Sequence, residues 1–91
     1  MSKGSKVKAI PEGYHNVTPY LIINGAARAL DYYKNVFGAA ERMRMPGPDG
    51  KIGHAEITIG DSMIMLADEH IEMGARAPGA FGGSAVSIML Y

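Results

Sequence analysis

The 91-residue chain contains no cysteine. That absence excludes a disulfide framework, a thiol nucleophile and a thiolate metal site. Net charge is lacking too. Nine basic and nine acidic residues cancel, so nothing favours nucleic acid or an anionic membrane as a partner. No apolar run approaches the ~20 residues that a membrane-spanning helix needs, and no signal-peptide apolar segment precedes the domain. A soluble, cytoplasmic protein is the expectation. No glycine-rich loop sits between a strand and a helix to cradle phosphate, and no serine stands in a nucleophile-elbow context. The length allows one small domain whose burial is marginal.

What is present reads as strand, helix and three strands. Residues 1–13 form a flexible tail carrying the one charge cluster, Lys3, Lys6 and Lys8. His15 to Ile23 has the β-branched and aromatic residues of a strand, with Pro19 at an unpaired side or a bulge. Asn24 offers a cap to a helix in which Ala26, Leu30, Tyr33 and Phe37 make one stripe, and Gly38 stops it. A strand near Ala40 to Met45 enters the turn Pro46-Gly47-Pro48-Asp49-Gly50, and Lys51 to Ile59 returns from it. Gly60-Asp61 is a two-residue hairpin loop before Ser62 to Ala67. Residues 68–84 are a long loop or hinge. Ser87-Ile88-Met89-Leu90-Tyr91 repeats the pattern of Thr18-Pro19-Tyr20-Leu21-Ile22, so residues 85–91 read as the first strand of a second module.

The hairpin at Gly60-Asp61 sets a register that separates two faces. It opposes Ile59 to Ser62, Ile57 to Ile64 and Ala55 to Leu66, an apolar set suited to packing on the helix. The other face pairs Thr58 with Met63, Glu56 with Met65 and His54 with Ala67, a mixture suited to a cleft. Extending the register through the preceding turn opposes Met45 to Lys51. Arg42 then meets His54, and Arg44 joins the same polar face. A slip of one residue sends both arginines to the opposite face.

Few residues are equipped for chemistry. His54 and Glu56, two apart on one strand, could bind a divalent metal, share a proton transfer, or hydrogen-bond to each other. Arg42 and Arg44 could clamp a carboxylate or phosphate, or remain a salt-bridged strand edge. Met63 and Met65 could form an adaptable pocket floor. Asp68-Glu69-His70 with Glu72 reads as a solvated loop, and His15 as a strand-entry residue with a local hydrogen bond.

The segments TPYL (Thr18–Leu21) and ALDYYKNVFGA (Ala29–Ala39) resemble the vicinal oxygen chelate superfamily, which includes glyoxalase I, bleomycin-resistance proteins and extradiol dioxygenases. RMPGPDGKI (Arg44–Ile52), HAEITIGDSMIML (His54–Leu66) and GGSAVSIMLY (Gly82–Tyr91) are similar to its PhnB-like branch. The resemblance implies an α+β fold: a βαβββ module (residues 14–67) with a mixed four-stranded sheet and one covering helix, followed by an extra C-terminal strand. Two such modules pair into a cupped sheet, and the chain is expected to be truncated after the first.

By the same resemblance, the metal-ligand positions of the first module fall on Thr18 and Met65, neither a credible ligand for a hard or borderline ion. The implied function is small-molecule binding without a cofactor. Two chains would enclose a cleft lined by Thr18, Tyr20, Met63 and Met65, with Arg42 and Arg44 beside it. The alternatives are a metal-dependent glyoxalase-type lyase, isomerase or dioxygenase using His54 and Glu56 as ligands or as acid and base, and an inactive module that only oligomerises.

Overall fold

A computed structural model describes residues 10–91. The expected lysine tail, with Lys3, Lys6 and Lys8, lies outside the described residues. Five principal elements follow in the expected order: β1 (Tyr20–Ile23), α1 (Ala26–Phe37), β2 (Ala40–Pro46), β3 (Ile52–Ile59) and β4 (Ser62–Asp68). They build one mixed sheet in the order β1-β4-β3-β2, with β1 parallel to β4 and the other pairs antiparallel. The fold is α+β, a βαβββ arrangement with α1 on one face of the sheet.

The β3–β4 register is the expected one, from Ala55 opposite Leu66 to Ile59 opposite Ser62. Gly60 takes φ 61°, the positive value that a two-residue hairpin of the primed type requires. Alternation then divides the strands. Ile57, Ile64 and Leu66 turn toward the helix and join Leu30, Ala26, Ile52 and Ala55 in the core. Leu30, Ile57 and Leu66 are completely buried. Each contributes about 2 kcal/mol of hydrophobic stabilisation relative to exposure. The helical stripe fades along its length. Ala26 and Leu30 are buried and Tyr33 packs at the core's margin, whereas Phe37 remains 40% exposed.

Three local expectations are corrected. β1 begins at Tyr20 rather than His15. Pro19 has no amide to donate, so the ladder starts after it, although its carbonyl still accepts from Met65 N–H at 2.9 Å. Asn24 does not cap the helix. Gly25 stands at the cap position with φ 84°, and no local side chain bonds the first turn. Asp68, at the end of β4, supplies the cap instead. Its Oδ1 accepts the amides of Gly25 and Ala26, both at 3.0 Å, and its Oδ2 accepts that of Ile52 at 2.7 Å.

The third correction concerns β2. It pairs Met45 with His54, Met43 with Glu56 and Arg44 with Ala55, with irregularities between Glu41 and Met43 and between Met45 and Pro46. Pro46 and Pro48 cannot donate to a ladder, so the turn is wider than a simple hairpin, closed by Gly47 N–H to the Lys51 carbonyl at 2.8 Å. The register is therefore displaced, and methionines rather than arginines line up with His54 and Glu56.

Helix α1 ends at Gly38, which adopts φ 68° and donates its amide to the Lys34 carbonyl, while Ala39 N–H reaches Tyr33. This is a left-handed stop. A Cβ at position 38 would meet nothing within 4 Å, so any penalty for a side chain is conformational. Gly38→Ala is expected to lower the unfolding free energy by about 1 kcal/mol, read as a reduced urea midpoint with unchanged slope.

The segment after β4 is more ordered than a solvated loop. His70 and Ala75 exchange backbone hydrogen bonds at 2.8 and 3.1 Å, and Glu69 accepts the Ala77 amide at 2.9 Å. Short 3₁₀ turns occupy Ile71–Met73 and Pro78–Phe81. Residues 85–91 pair with no strand among the described residues. Ile88 and Leu90 instead border a small apolar cavity of about 100 Å³ beside Leu21, Tyr33, Phe37 and Ile64.

Candidate binding face

The sheet face away from the helix is defined by its registers. Tyr20 pairs with Met65, Met65 with Glu56, and Glu56 with Met43, so one row crosses all four strands. A second row contains Ile22 opposite Ala67, and His54 opposite Met45. Alternate residues on these strands thus place one imidazole, one carboxylate and one phenol together over thioether side chains.

These polar groups are bonded in series. Tyr20 Oη lies 2.8 Å from His54 Nδ1, and His54 Nε2 lies 2.8 Å from Glu56 Oε2. Tyr14, on the segment preceding β1, donates its hydroxyl to Glu56 Oε1. The Tyr20 and His54 rings meet at a tilt, with centroids 5.4 Å apart. The Tyr14 hydrogen bond, followed by that of His54, holds the Glu56 carboxyl below its ordinary value and outweighs the opposing effect of burial. The same bond to Glu56, together with burial, pushes the Tyr14 hydroxyl up.

The remaining sequence candidates divide between the two faces. Thr18, Met65 and Glu56 line a groove of about 540 Å³, together with Tyr14 and Ile10. Met63 is buried at 7% exposure, so Met65 rather than Met63 presents the thioether floor. Arg42 falls at the irregularity between Glu41 and Met43 and is exposed, and its charge acts on the Tyr14 hydroxyl. Arg44 does not join the polar face. Paired with Ala55, it lies on the helical side and makes two hydrogen bonds to Glu41, at 2.8 and 2.9 Å. Lys34 of the helix completes this cluster at 2.6 Å from Glu41. The two cations hold the Glu41 carboxyl at about 2, Arg44 contributing first.

His15 is also reassigned. Its Nε2 lies 3.3 Å from the Asp61 carbonyl, a contact across the fold rather than a local one. Tyr14, Met43 and Met45 were not singled out for this face by sequence reasoning. For the methionines the signal was their alternation on β2, obscured by the displaced register. For Tyr14 no periodicity could signal the role, because its segment lies outside any strand.

A divalent metal finds little support in this arrangement. Among the described residues, no three His, Asp or Glu side chains converge. His54 Nε2 and one Glu56 oxygen are bonded to each other, and Tyr14 occupies the second oxygen. Thr18 and Met65 offer a neutral hydroxyl and a soft thioether, which do not suit a hard or borderline divalent ion.

A second, larger groove of about 770 Å³ follows the outer edge of β1. Tyr20, Ile22, Phe81 and Val86 border it, with Arg76 nearby. Arg76 itself lies over the Phe81 ring at 5.9 Å. Among the described residues, no helix is long and apolar enough to cross a membrane.

One helix on one face of a mixed β1-β4-β3-β2 sheet, with polar groups gathered on the opposite face, defines a βαβββ module with a candidate binding face. The chain belongs to the Glyoxalase/Bleomycin resistance protein/Dioxygenase superfamily, whose family profile matches residues 14–89. It is 40% identical over 77 residues to an uncharacterized protein of Mycobacterium bovis, covering 81% of this chain and 51% of that protein. Uncharacterized proteins from two strains of Mycobacterium tuberculosis are likewise 40% identical over 77 residues, with 81% of this chain and 45% of theirs covered. The chain thus spans about half the length of these curated relatives. No solved structure matches it significantly.

Proposed function

We propose that this chain is a small-molecule-binding module whose cupped face is completed by a second copy of the same chain. The observation that carries this reading is the series Tyr20–His54–Glu56–Tyr14 laid across the thioethers of Met43, Met45 and Met65. Polar groups that hold one another in place need little reorganisation when a ligand arrives, which lowers the cost of binding. Metal-free binding also accords with Thr18 and Met65.

Several features support assembly. Strands β1 and β2 are the outer strands of the sheet, and unpaired edges favour association. Val86, Met89 and Tyr91 are exposed, as an adhesive terminal segment would be. Residues 68–84 act as a hinge in this reading, and residues 85–91 add as a strand to the partner. The segments Arg44–Ile52, His54–Leu66 and Gly82–Tyr91 support a PhnB-like reading within the superfamily.

The test combines solution mass by light scattering with metal analysis of the purified protein. The expected result is a discrete dimer whose thermal midpoint does not change with a chelator. A stable monomer overturns the shared cleft. Stoichiometric metal that disappears in His54→Ala and Glu56→Ala would replace this reading with the metal-dependent lyase or dioxygenase. A dimer that takes up no small molecule would leave a module that only oligomerises.

A further inference from the structure

We propose that Tyr20 determines specificity on this face, as an outward-facing hydrogen-bond acceptor selecting flat apolar molecules that carry a hydroxyl or N–H donor. The inference rests on the small-molecule-binding reading and names the ligand class for it.

The direction of the hydrogen-bond series fixes the chemistry. An ionised carboxylate accepts and cannot donate. Glu56 therefore receives the Tyr14 hydroxyl proton on one oxygen, and the His54 Nε2 proton on the other. At a pH where the imidazole carries a single proton, Nε2 holds it and Nδ1 presents only a lone pair. Tyr20, 2.8 Å from that nitrogen, must then be the donor. A phenol has one proton, and here it points inward. The lone pairs of Tyr20 Oη are what remain for a visitor.

The surroundings specify the rest of the molecule. Tyr20 is 49% exposed and borders the groove of about 770 Å³ along β1, beside Ile22, Phe81 and Val86. Its neighbour across the sheet is the thioether of Met65, a surface that adapts to flat rings. A ligand whose hydroxyl reaches Tyr20 Oη, on the His54 side of the ring, can lay an aromatic body on the Tyr20 ring and the Met65 thioether. An ether or carbonyl in the same place would face only lone pairs and lose its hydration without replacement. Glu56 and His54 act through Tyr20 as positioning residues, because they set which way its proton points.

A matched pair of probes tests this, 2-naphthol and its methyl ether 2-methoxynaphthalene, titrated at about pH 8 into the whole chain. The protein contains no tryptophan, so naphthalene fluorescence is read without indole background. The ether has the larger apolar body, so hydrophobic binding alone ranks it first. The expected result is that the wild-type chain binds 2-naphthol about fivefold more tightly than the ether. Tyr20→Phe, a conservative change at a half-exposed ring, is expected to weaken 2-naphthol by at least that factor and leave the ether unchanged. Equal affinities in the wild type, or a preference that survives Tyr20→Phe, overturn the acceptor role while the binding reading stands. If neither probe binds, the acceptor role and the binding reading fall together.

Discussion

Replacing Asp68 with alanine is expected to lower the unfolding free energy by about 3 kcal/mol, a large share of the stability of a domain this size. One carboxylate here serves two distant parts of the chain. Its Oδ1 takes the first amides of the helix, Gly25 and Ala26, and its Oδ2 takes Ile52 at the start of β3. Gly25 has no side chain to cap with, so no local substitute exists for the helix. A single cap is worth about 1 kcal/mol, and the Ile52 amide lies beside a buried side chain where water replaces the lost acceptor poorly.

Asp68→Asn tests the double role. An amide presents one oxygen and one NH₂, so it can serve the helix amides or Ile52 but not both, and about half the loss is expected. Urea denaturation reads both variants as reduced midpoints at constant slope. A loss below about 0.5 kcal/mol for Asp68→Ala would show that the helix start and β3 do not depend on this side chain.

The same carboxylate predicts an acid limb. Burial alone would push the Asp68 carboxyl up, but the amides of Ile52, Ala26 and Gly25 together bring it below its ordinary value of 3.8. Glu56 is also depressed, by Tyr14 and then His54. A group with a lowered folded-state value contributes stability that is complete above its unfolded value and is lost as pH falls through the folded one. Stability is therefore expected to decline below the ordinary carboxylate range, and Asp68→Ala is expected to flatten that decline.

Much of the fold was legible in the chain because short-range rules governed it. Ala26, Leu30 and Tyr33 at helical spacing, Gly38 at the stop, and Gly60-Asp61 between alternating strands each carry local information. The structure places those elements as read. Where the reading failed, the deciding interaction was distant in sequence or concerned proline. Asn24 looked like a cap because it precedes the helix, yet the cap came from Asp68, more than forty residues away. The β2 register slipped because Pro46 and Pro48 forbid the ladder that a regular turn would allow. No periodicity reports on a slip of that kind.

The candidate site was legible to the same extent. His54 and Glu56 share a face by strand alternation alone, and Met65 follows from the hairpin register. Tyr20 was named for the cleft through the resemblance, and its place beside Met65 follows from the parallel pairing of β1 with β4. Tyr14 required the fold itself, since its segment belongs to no element yet reaches Glu56. Arg44 was drawn to the other face by the displaced register and secured there by Glu41, which also pairs with Lys34.

Leu66→Ala and Met65→Ala, neighbours on β4, are expected to differ by several-fold in cost, and that contrast tests the two-faced architecture. Leu66 is completely buried between the sheet and the helix, in contact with a core that includes Leu30 and Ile57. Its truncation removes apolar burial and leaves a cavity that this small core can close only partly, for a loss of about 3 kcal/mol. Met65 points the opposite way and is only half-buried beside Tyr20 and Glu56, so Met65→Ala is expected to cost about 1 kcal/mol or less. Chemical denaturation measures both. Similar losses would mean that the Met65 face is packed as firmly as the core. Unequal losses would mean that the helix determines one face of the sheet and leaves the other free to be shaped by a ligand. On that free face Met65→Ala should alter affinity for an apolar probe more than it alters stability, and Leu66→Ala should do the reverse.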